Sequence, residues 1–170
     1  MAPAVFETQM LRYIQEHLRI LSGFYGVLRP MDGVTPYRLE MQAKLRVDGT
    51  KNLYEYWGSR LYEQVRDSSG IIINLASREY SKCIEKYLTP EDTFITCTFA
   101  EEENGKLVQK GVYCKMARGE MVRFMAERHL EDPEEMKAFD ELGYRYSRDL
   151  SSDQEYVFLK TDTGAGRNRC

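Results

Sequence analysis

The sequence predicts an α+β fold, a single domain with a mixed sheet, hairpins and flanking helices. Three observations carry that expectation. Stretches with helical apolar spacing are interleaved irregularly with short β-type runs. Two places carry hairpin signals. No internal repeat, heptad array or long linker interrupts the 170 residues. A chain of this length buries a substantial core, and 42% hydrophobic with 30% charged residues is an ordinary globular balance.

Taken in order, residues 5 to 21 place Phe6, Met10, Tyr13, Ile14, His17, Leu18 and Leu21 on one stripe, which predicts a helix. His17 is expected at the core boundary. The stretch SGFYGVLRPMDGVTPYRLEM (22–41) then breaks the pattern with glycines and two X-Pro bonds. Asn52 is placed to cap a second helix that buries Leu53, Tyr54, Trp57, Leu61 and Val65. Gly58 there predicts close packing of another element. IIINL (71–75) reads as an interior strand, and Ser77 is placed to cap a helix from Arg78 to about Tyr87. FITCTF (94–99) and LVQKGVYC (107–114) read as a strand pair turned by Asn104-Gly105. A helix is predicted from about Ala117 to Leu130. Asp132-Pro133-Glu134-Glu135 opens another, ended by Gly143. Tyr144–Ser147 and Tyr156–Lys160 form a final hairpin. The domain is expected to occupy residues 1–160, and the polar, Gly-rich 161–170 to be a disordered tail.

Composition excludes several classes. No window approaches the 18 or more apolar residues that a bilayer-spanning helix needs, so no membrane partner is expected. The N-terminus lacks a basic region followed by an apolar one, and cytoplasmic residence is expected. Cys83, Cys97, Cys114 and Cys170 contain no C-x-x-C pair, and only two histidines are present. Neither metal nor cofactor is expected. The formal net charge of −3 argues against a general polyanion binder, although Lys106 to Arg128 holds six basic residues against two acidic ones.

Three polar segments stand out. In the first, Pro30 and Pro36 stiffen a backbone that carries Arg29, Asp32, Tyr37, Arg38 and Glu40. It is either the wall of a site or a loop stapled by Arg–Asp and Arg–Glu pairs. Its Phe24 and Tyr25 rings are expected to be buried. In the second, NLASREYSK (74–82), Asn74, Ser77, Glu79 and Tyr80 stand where a strand enters a helix, a place that suits ligands. In the third, CKMARGEMVRF (114–124), Lys115 and Arg118 are expected to precede or open a helix. Cations there oppose the helix dipole, which fits an anion, a phosphate or acidic side chains facing them.

The series LSGFYGVLRPMDGVTPYRLEM, NLYEYWG, INLASREYSK, CKMARGEMVRF and GYRYS, in that order between about Gln15 and Lys160, resembles the bacterial YaaA peroxide-stress family. The resemblance implies an α+β fold known as the cantaloupe fold. It also implies a cytoplasmic role in the peroxide response and in limiting iron-driven damage, and DNA binding through a positively charged cleft. Matched residue by residue, the family blocks contain Arg29, Tyr37, Arg38 and Glu40; then Asn74, Ser77, Glu79 and Tyr80; then Lys115, Arg118, Gly119 and Arg123. Family members carry a longer N-terminal segment with a Ser-Pro-Ala-Lys signature and a helix-hairpin-helix-like element. The chain is expected to be shortened by that segment, and the GFYG turn resembles such a hairpin only weakly. Met116 stands where a second lysine is common.

Two functional expectations follow. The first is a non-catalytic protein bound to double-stranded or structured DNA, with Arg29, Tyr37, Arg38, Asn74, Ser77, Tyr80, Lys115, Arg118 and Arg123 as the DNA- or anion-binding candidates. The alternative is an enzyme acting on a small phosphorylated or nucleotide-like molecule. There Glu79 or Glu40 would be the general acid/base, Tyr37 or Tyr80 a ring platform, and Arg38 and Arg118 an anion clamp.

Overall fold

A computed structural model describes residues 3–160; the tail expected over 161–170 lies outside the described residues. The chain forms two compact units. One comprises residues 6–95, the other, among the described residues, 3–5 with 96–160. Among the described residues no helix is long and apolar enough to cross a membrane.

The first unit opens with α1 (Thr8–His17), which buries Met10, Tyr13 and Ile14. The helix is shorter than the apolar stripe predicts. Leu18 still donates its N–H to the Ile14 carbonyl (2.9 Å) but is itself extended, and the chain leaves as a strand. Leu18 to Leu21 satisfies either period, and the hairpin that follows decides for the strand. His17 is exposed, its ring 4.5 Å from that of Tyr13, rather than at the core boundary. The strands β1 (Ile20–Ser22) and β2 (Gly26–Leu28) pair antiparallel, so GFYG is the turn of a β-hairpin.

The predicted second helix is two: α2 (Leu53–Trp57) and α3 (Arg60–Val65). Asn52 caps the first as expected, accepting the Glu55 N–H at 3.0 Å. The break falls at Gly58, whose φ of 55° ends α2. Nothing packs closely there, since an added Cβ would meet only the Glu55 carbonyl, at 3.8 Å. The close approach is at Gly26, where an added Cβ would lie 2.8 Å from the Trp57 ring. Next come β3 (Ile71–Asn74) and α4 (Arg78–Glu85). Met41, Leu53, Leu61, Tyr62, Ile72, Cys83 and Ile84 make the core of this unit. Behind α3, the Asp92 side chain is fully buried. It accepts hydrogen bonds from the Tyr62 hydroxyl, the Arg66 Nε–H and the Thr89 N–H, each at 2.7 Å.

The strand β4 (Thr93–Glu103) carries the chain into the second unit. It turns at Asn104 and Gly105 (φ 53° and 74°) and pairs antiparallel with β5 (Lys106–Val108), the Asn-Gly hairpin the sequence predicts. The predicted strand 107–114 ends there. The helix α5 (Gly111–Arg128) starts six residues before its predicted start. A 3-10 helix at Pro133–Ala138 follows, with the Asp132 carboxylate accepting the Glu134 N–H at 2.9 Å.

The strands β6 (Asp140–Glu141), β7 (Tyr144–Tyr146) and β8 (Glu155–Lys160) complete a sheet whose order here is β4-β8-β7-β6. The β4–β8 pair is parallel and the others antiparallel, so the sheet is mixed as expected, and the final hairpin is present. Phe99 centres the core of this unit, its ring 5.2 to 5.9 Å from those of Phe158, Tyr144 and Phe139. Such packed aromatic pairs add to the burial of their area.

Candidate functional site

The first polar segment is rigid without regular structure beyond β2, because side chains satisfy its backbone. Ser22 is buried; its hydroxyl accepts the N–H groups of Tyr25 (2.9 Å) and Phe24 (3.2 Å) and bonds to the Tyr37 hydroxyl. The Tyr25 hydroxyl accepts the Thr35 N–H at 2.9 Å and donates to the Thr35 carbonyl at 3.3 Å. Asp32 accepts the Arg29 N–H at 2.8 Å, and its own N–H donates to the Arg29 carbonyl at 3.1 Å. The Trp57 indole N–H donates to the Gly23 carbonyl at 3.0 Å. At Gly23 itself an added Cβ would lie 2.9 Å from the Leu39 carbonyl oxygen, so only glycine fits under the loop.

The staples are therefore Ser–Tyr and Asx contacts, not the Arg–Asp and Arg–Glu ion pairs of the bland expectation. The rings of Phe24, Tyr25 and Tyr37 meet one another at 4.9 to 5.4 Å. Phe24 is not buried as expected but 57% exposed, and Tyr25 is half-buried. Arg29 and Arg38 are exposed, and among the described residues neither guanidinium has a carboxylate partner. Arg19, which sequence reasoning passed over, lies close to Arg29. Its pKa is lowered first by burial and then by the Arg29 charge.

The second segment meets the first within the same unit. Glu79 accepts the Gln42 N–H on its Oε1 at 3.2 Å, and its carbonyl accepts the Tyr54 hydroxyl at 3.0 Å. Tyr80 is half-buried. Burial, above all, raises its pKa; Glu79 and, more weakly, Tyr37 and Glu40 add to this, while a bond with the Met41 backbone opposes it. Tyr54 is raised mainly by burial, with Cys83, Glu79 and Tyr80 adding. Glu79, Tyr37 and Glu40 thus lie close enough to Tyr80 for their charges to act on it, and the Tyr80 phenol stays protonated as a donor.

Asn74 is 8% exposed and its Oδ1 accepts the Ala76 N–H at 3.0 Å, turning the chain toward α4. Ser77 holds the N-cap position of α4 but, contrary to expectation, its exposed hydroxyl makes no capping bond; its carbonyl accepts the Tyr80 and Ser81 N–H groups.

The third segment is corrected most. Because α5 begins at Gly111, Lys115 and Arg118 lie inside the helix, one and two turns in, and not at its start. Backbone N–H groups there are spent within the helix, so these cations do not face a free helix N-terminus. Lys115 is exposed and Arg118 half-buried. The Arg118 Nε is buried with no hydrogen-bond partner among the described residues. Its charge partly offsets the burial that raises Cys97 and Cys114. Arg123 is paired, donating to Glu127 at 2.7 Å one helical turn on. These three cations belong to the second unit, whereas the other two segments belong to the first.

Among the described residues no group of three or more His, Cys, Asp or Glu could hold a metal ion. In the first unit the arrangement offers unpaired guanidiniums for anions, exposed ring faces, and the Glu79 and Glu40 carboxylates near the Tyr80 phenol. Sequence reasoning missed Ser22, Gln42 and Tyr54 in it. Only Ser22, directly before Gly23, carried a signal, that of a hydroxyl accepting backbone N–H groups in a turn.

The family described as Peroxide stress protein YaaA matches residues 1–150 of this chain. A UPF0246 protein of Agathobacter rectalis is 66% identical over 158 residues, covering 93% of this chain and 64% of its own length. One from Lachnoclostridium phytofermentans is 55% identical over 163 residues (96% and 64%). One from Pediococcus pentosaceus is 51% identical over 162 residues (95% and 64%). The chain thus spans a little under two thirds of the length of these curated relatives.

Proposed function

The chain belongs to the peroxide stress protein YaaA family, and from that premise we propose that it is a cytoplasmic protein of the peroxide response that associates with DNA and so limits iron-driven damage to it. The observation that carries DNA association is the pair of exposed guanidiniums, Arg29 and Arg38, without carboxylate partners on a backbone locked by side-chain bonds. An unpaired guanidinium on a rigid support is suited to a phosphate oxygen pair, because little freedom is lost when the contact forms. Arg19 adds a second charge beside Arg29, and Lys115 and Arg118 supply further cations on α5. Contacts of this kind give affinity with little base readout. The link to iron is read as protection of DNA, because two histidines are a poor endowment for storage.

A duplex-binding titration against salt tests the proposal. Binding at low salt is expected to weaken linearly in log–log form. Replacing Arg29 or Arg38 by alanine is expected to lower the slope by about one each, with the same effect on every DNA sequence. A folded protein that binds no duplex at low salt would sink it.

A second reading, an enzyme acting on a small phosphorylated molecule, is favoured by the closeness of Glu79, Tyr37 and Glu40 to Tyr80. In it Glu79 is the general base and Arg38 the anion clamp. The two readings separate at Glu79→Gln. That change abolishes turnover in the second and leaves DNA binding intact in the first.

A further inference from the structure

The hairpin of the first unit pairs Ser22 with Gly26, Leu21 with Val27 and Ile20 with Leu28. One further step in that register sets Arg19 directly opposite Arg29, on the face whose Leu21 and Val27 pack against the core. Two arginines therefore stand side by side at the open end of the hairpin, Arg19 half-buried and Arg29 exposed. Like charges placed opposite each other cost stability. The lowering of the Arg19 pKa, first by burial and then by the Arg29 charge, has that same origin. Among the described residues neither guanidinium has a carboxylate partner. The nearby acids are engaged elsewhere. Asp67, whose charge is the weakest of the three influences on Arg19, accepts the Ser69 N–H (2.8 Å) and hydroxyl (2.6 Å) on its Oδ1. Asp32 accepts the Arg29 backbone N–H at 2.8 Å. The pair is also held in place. The Arg19 Nη1 donates to the Leu18 carbonyl at 3.1 Å, and the Met31 N–H, just past Arg29, donates to Gln15 of α1 at 3.0 Å.

One bidentate guanidinium fills the two oxygens of a carboxylate, whereas the tetrahedral oxygens of a phosphate can accept from two guanidiniums at once. We propose that Arg19 and Arg29 form a two-arginine fork that closes on a single phosphate group. An anion between the two relieves the repulsion built into the free protein, so the cost carried by the empty pair returns as affinity. The fork rests on the DNA-binding reading for the source of its phosphate, a diester of the DNA backbone, and deepens that reading by making the two arginines one contact.

Two measurements on the 170-residue chain test the fork. In the first, duplex binding is titrated against salt. Arg19→Ala and Arg29→Ala are each expected to weaken binding about tenfold at low salt and to lower the salt slope by about one. The double variant is expected to lose no more than either single one, because the same phosphate contact is lost each time. Arg19→Ala combined with Arg38→Ala, by contrast, is expected to lower the slope by about two. A loss of about two in the Arg19, Arg29 double variant overturns the proposal, since each arginine would then hold its own phosphate. Duplex binding that Arg19→Ala leaves unaltered overturns it too, while the DNA reading stands.

In the second, thermal melts are run with inorganic phosphate in place of chloride at equal ionic strength. Phosphate is expected to raise the midpoint of the parent chain and of neither single variant. In chloride, Arg19→Ala is expected to melt at or above the parent, because a repulsion has been removed. A midpoint several degrees lower in chloride makes Arg19 structural and overturns the proposal, as does equal stabilisation of parent and variants by phosphate. If Arg19→Ala does not fold, Arg19→Lys serves in its place. It keeps the charge without the fork, and it is expected to retain the salt slope while losing several-fold in affinity. A parent chain that binds no duplex, yet is stabilised by phosphate through both arginines, removes the DNA reading and keeps the fork, with a phosphorylated small molecule as its ligand.

Discussion

Gly26 combines two constraints at one position. Its φ of +82° disfavours any L side chain, and a Cβ would lie 2.8 Å from a Trp57 ring carbon. Gly26→Ala is therefore expected to destabilise the protein by about 1–3 kcal/mol, from backbone strain and overpacking together. Gly33 is the control, because its Cβ would meet nothing within 4 Å and its φ is not in the left-handed region. Gly33→Ala is expected to shift stability by less than about 0.5 kcal/mol. Urea unfolding of the two variants against the parent chain checks both statements, and equal effects at the two glycines would contradict this account. The sequence marks both residues only as glycines. Which of them is compelled by a neighbour depends on Trp57, thirty-one residues away.

Between elements, Asp92 ties α3 to the turn that leads into β4 through Tyr62, Arg66 and Thr89. The Thr89 N–H is the largest influence, followed among the stabilising ones by Tyr62 and Arg66, and together they hold the carboxyl far below the ordinary carboxylate range. A depressed folded pKa means that the contribution is complete above the unfolded value, about 4, and is lost as pH falls from there toward the folded pKa. The thermal midpoint of the parent chain is expected to fall more steeply below about pH 4 than that of Asp92→Asn. Thermal melts from pH 7 to pH 3 decide this, and parallel curves would remove Asp92 from the acid response.

How much of the elements could be read beforehand also has a physical basis. The Asn104-Gly105 hairpin and the Asn52 cap were legible because local backbone chemistry alone specifies them. The start of α5 was not. Val112, Tyr113 and Cys114 favour strand locally, and they enter the helix only because Cys114 and Ala117 are buried as the first core positions of α5. The N-cap at Ser77 was legible as a position and wrong as a bond, since its hydroxyl makes no capping bond while Asn74 makes the turn. The joining of the 22–42 and 74–82 segments runs through the Gln42–Glu79 and Tyr54–Glu79 contacts, which no spacing rule encodes.

For the whole molecule, the α+β class was open to the sequence because helical and strand periods recur along the chain. Each compact unit also hides thiols. Cys83 is in the first, its pKa pushed up to about 11, mainly by burial. Cys97 and Cys114 are in the second, with burial pushing Cys97 up to about 12 and raising Cys114 as well. Neutral, buried thiols are poor nucleophiles toward peroxide and disulfide reagents. All three are expected to resist a disulfide-exchange reagent at pH 8 in the native protein and to react at once in denaturant. Mass spectrometry of the labelled peptides gives the readout. Rapid native labelling of any of the three would show that its unit opens far more readily than its packing implies.

The hairpin's seat on Trp57 has one more consequence, an optical one. This is the only tryptophan in the chain. Its indole N–H is bound to Gly23 and its ring lies against Gly26, so the chain carries a single native fluorophore wedged under the very turn that bears Phe24. Anything that lifts or presses that turn changes the polarity around the indole and moves its emission colour. Events on the hairpin can therefore be followed in the unlabelled protein, by light alone.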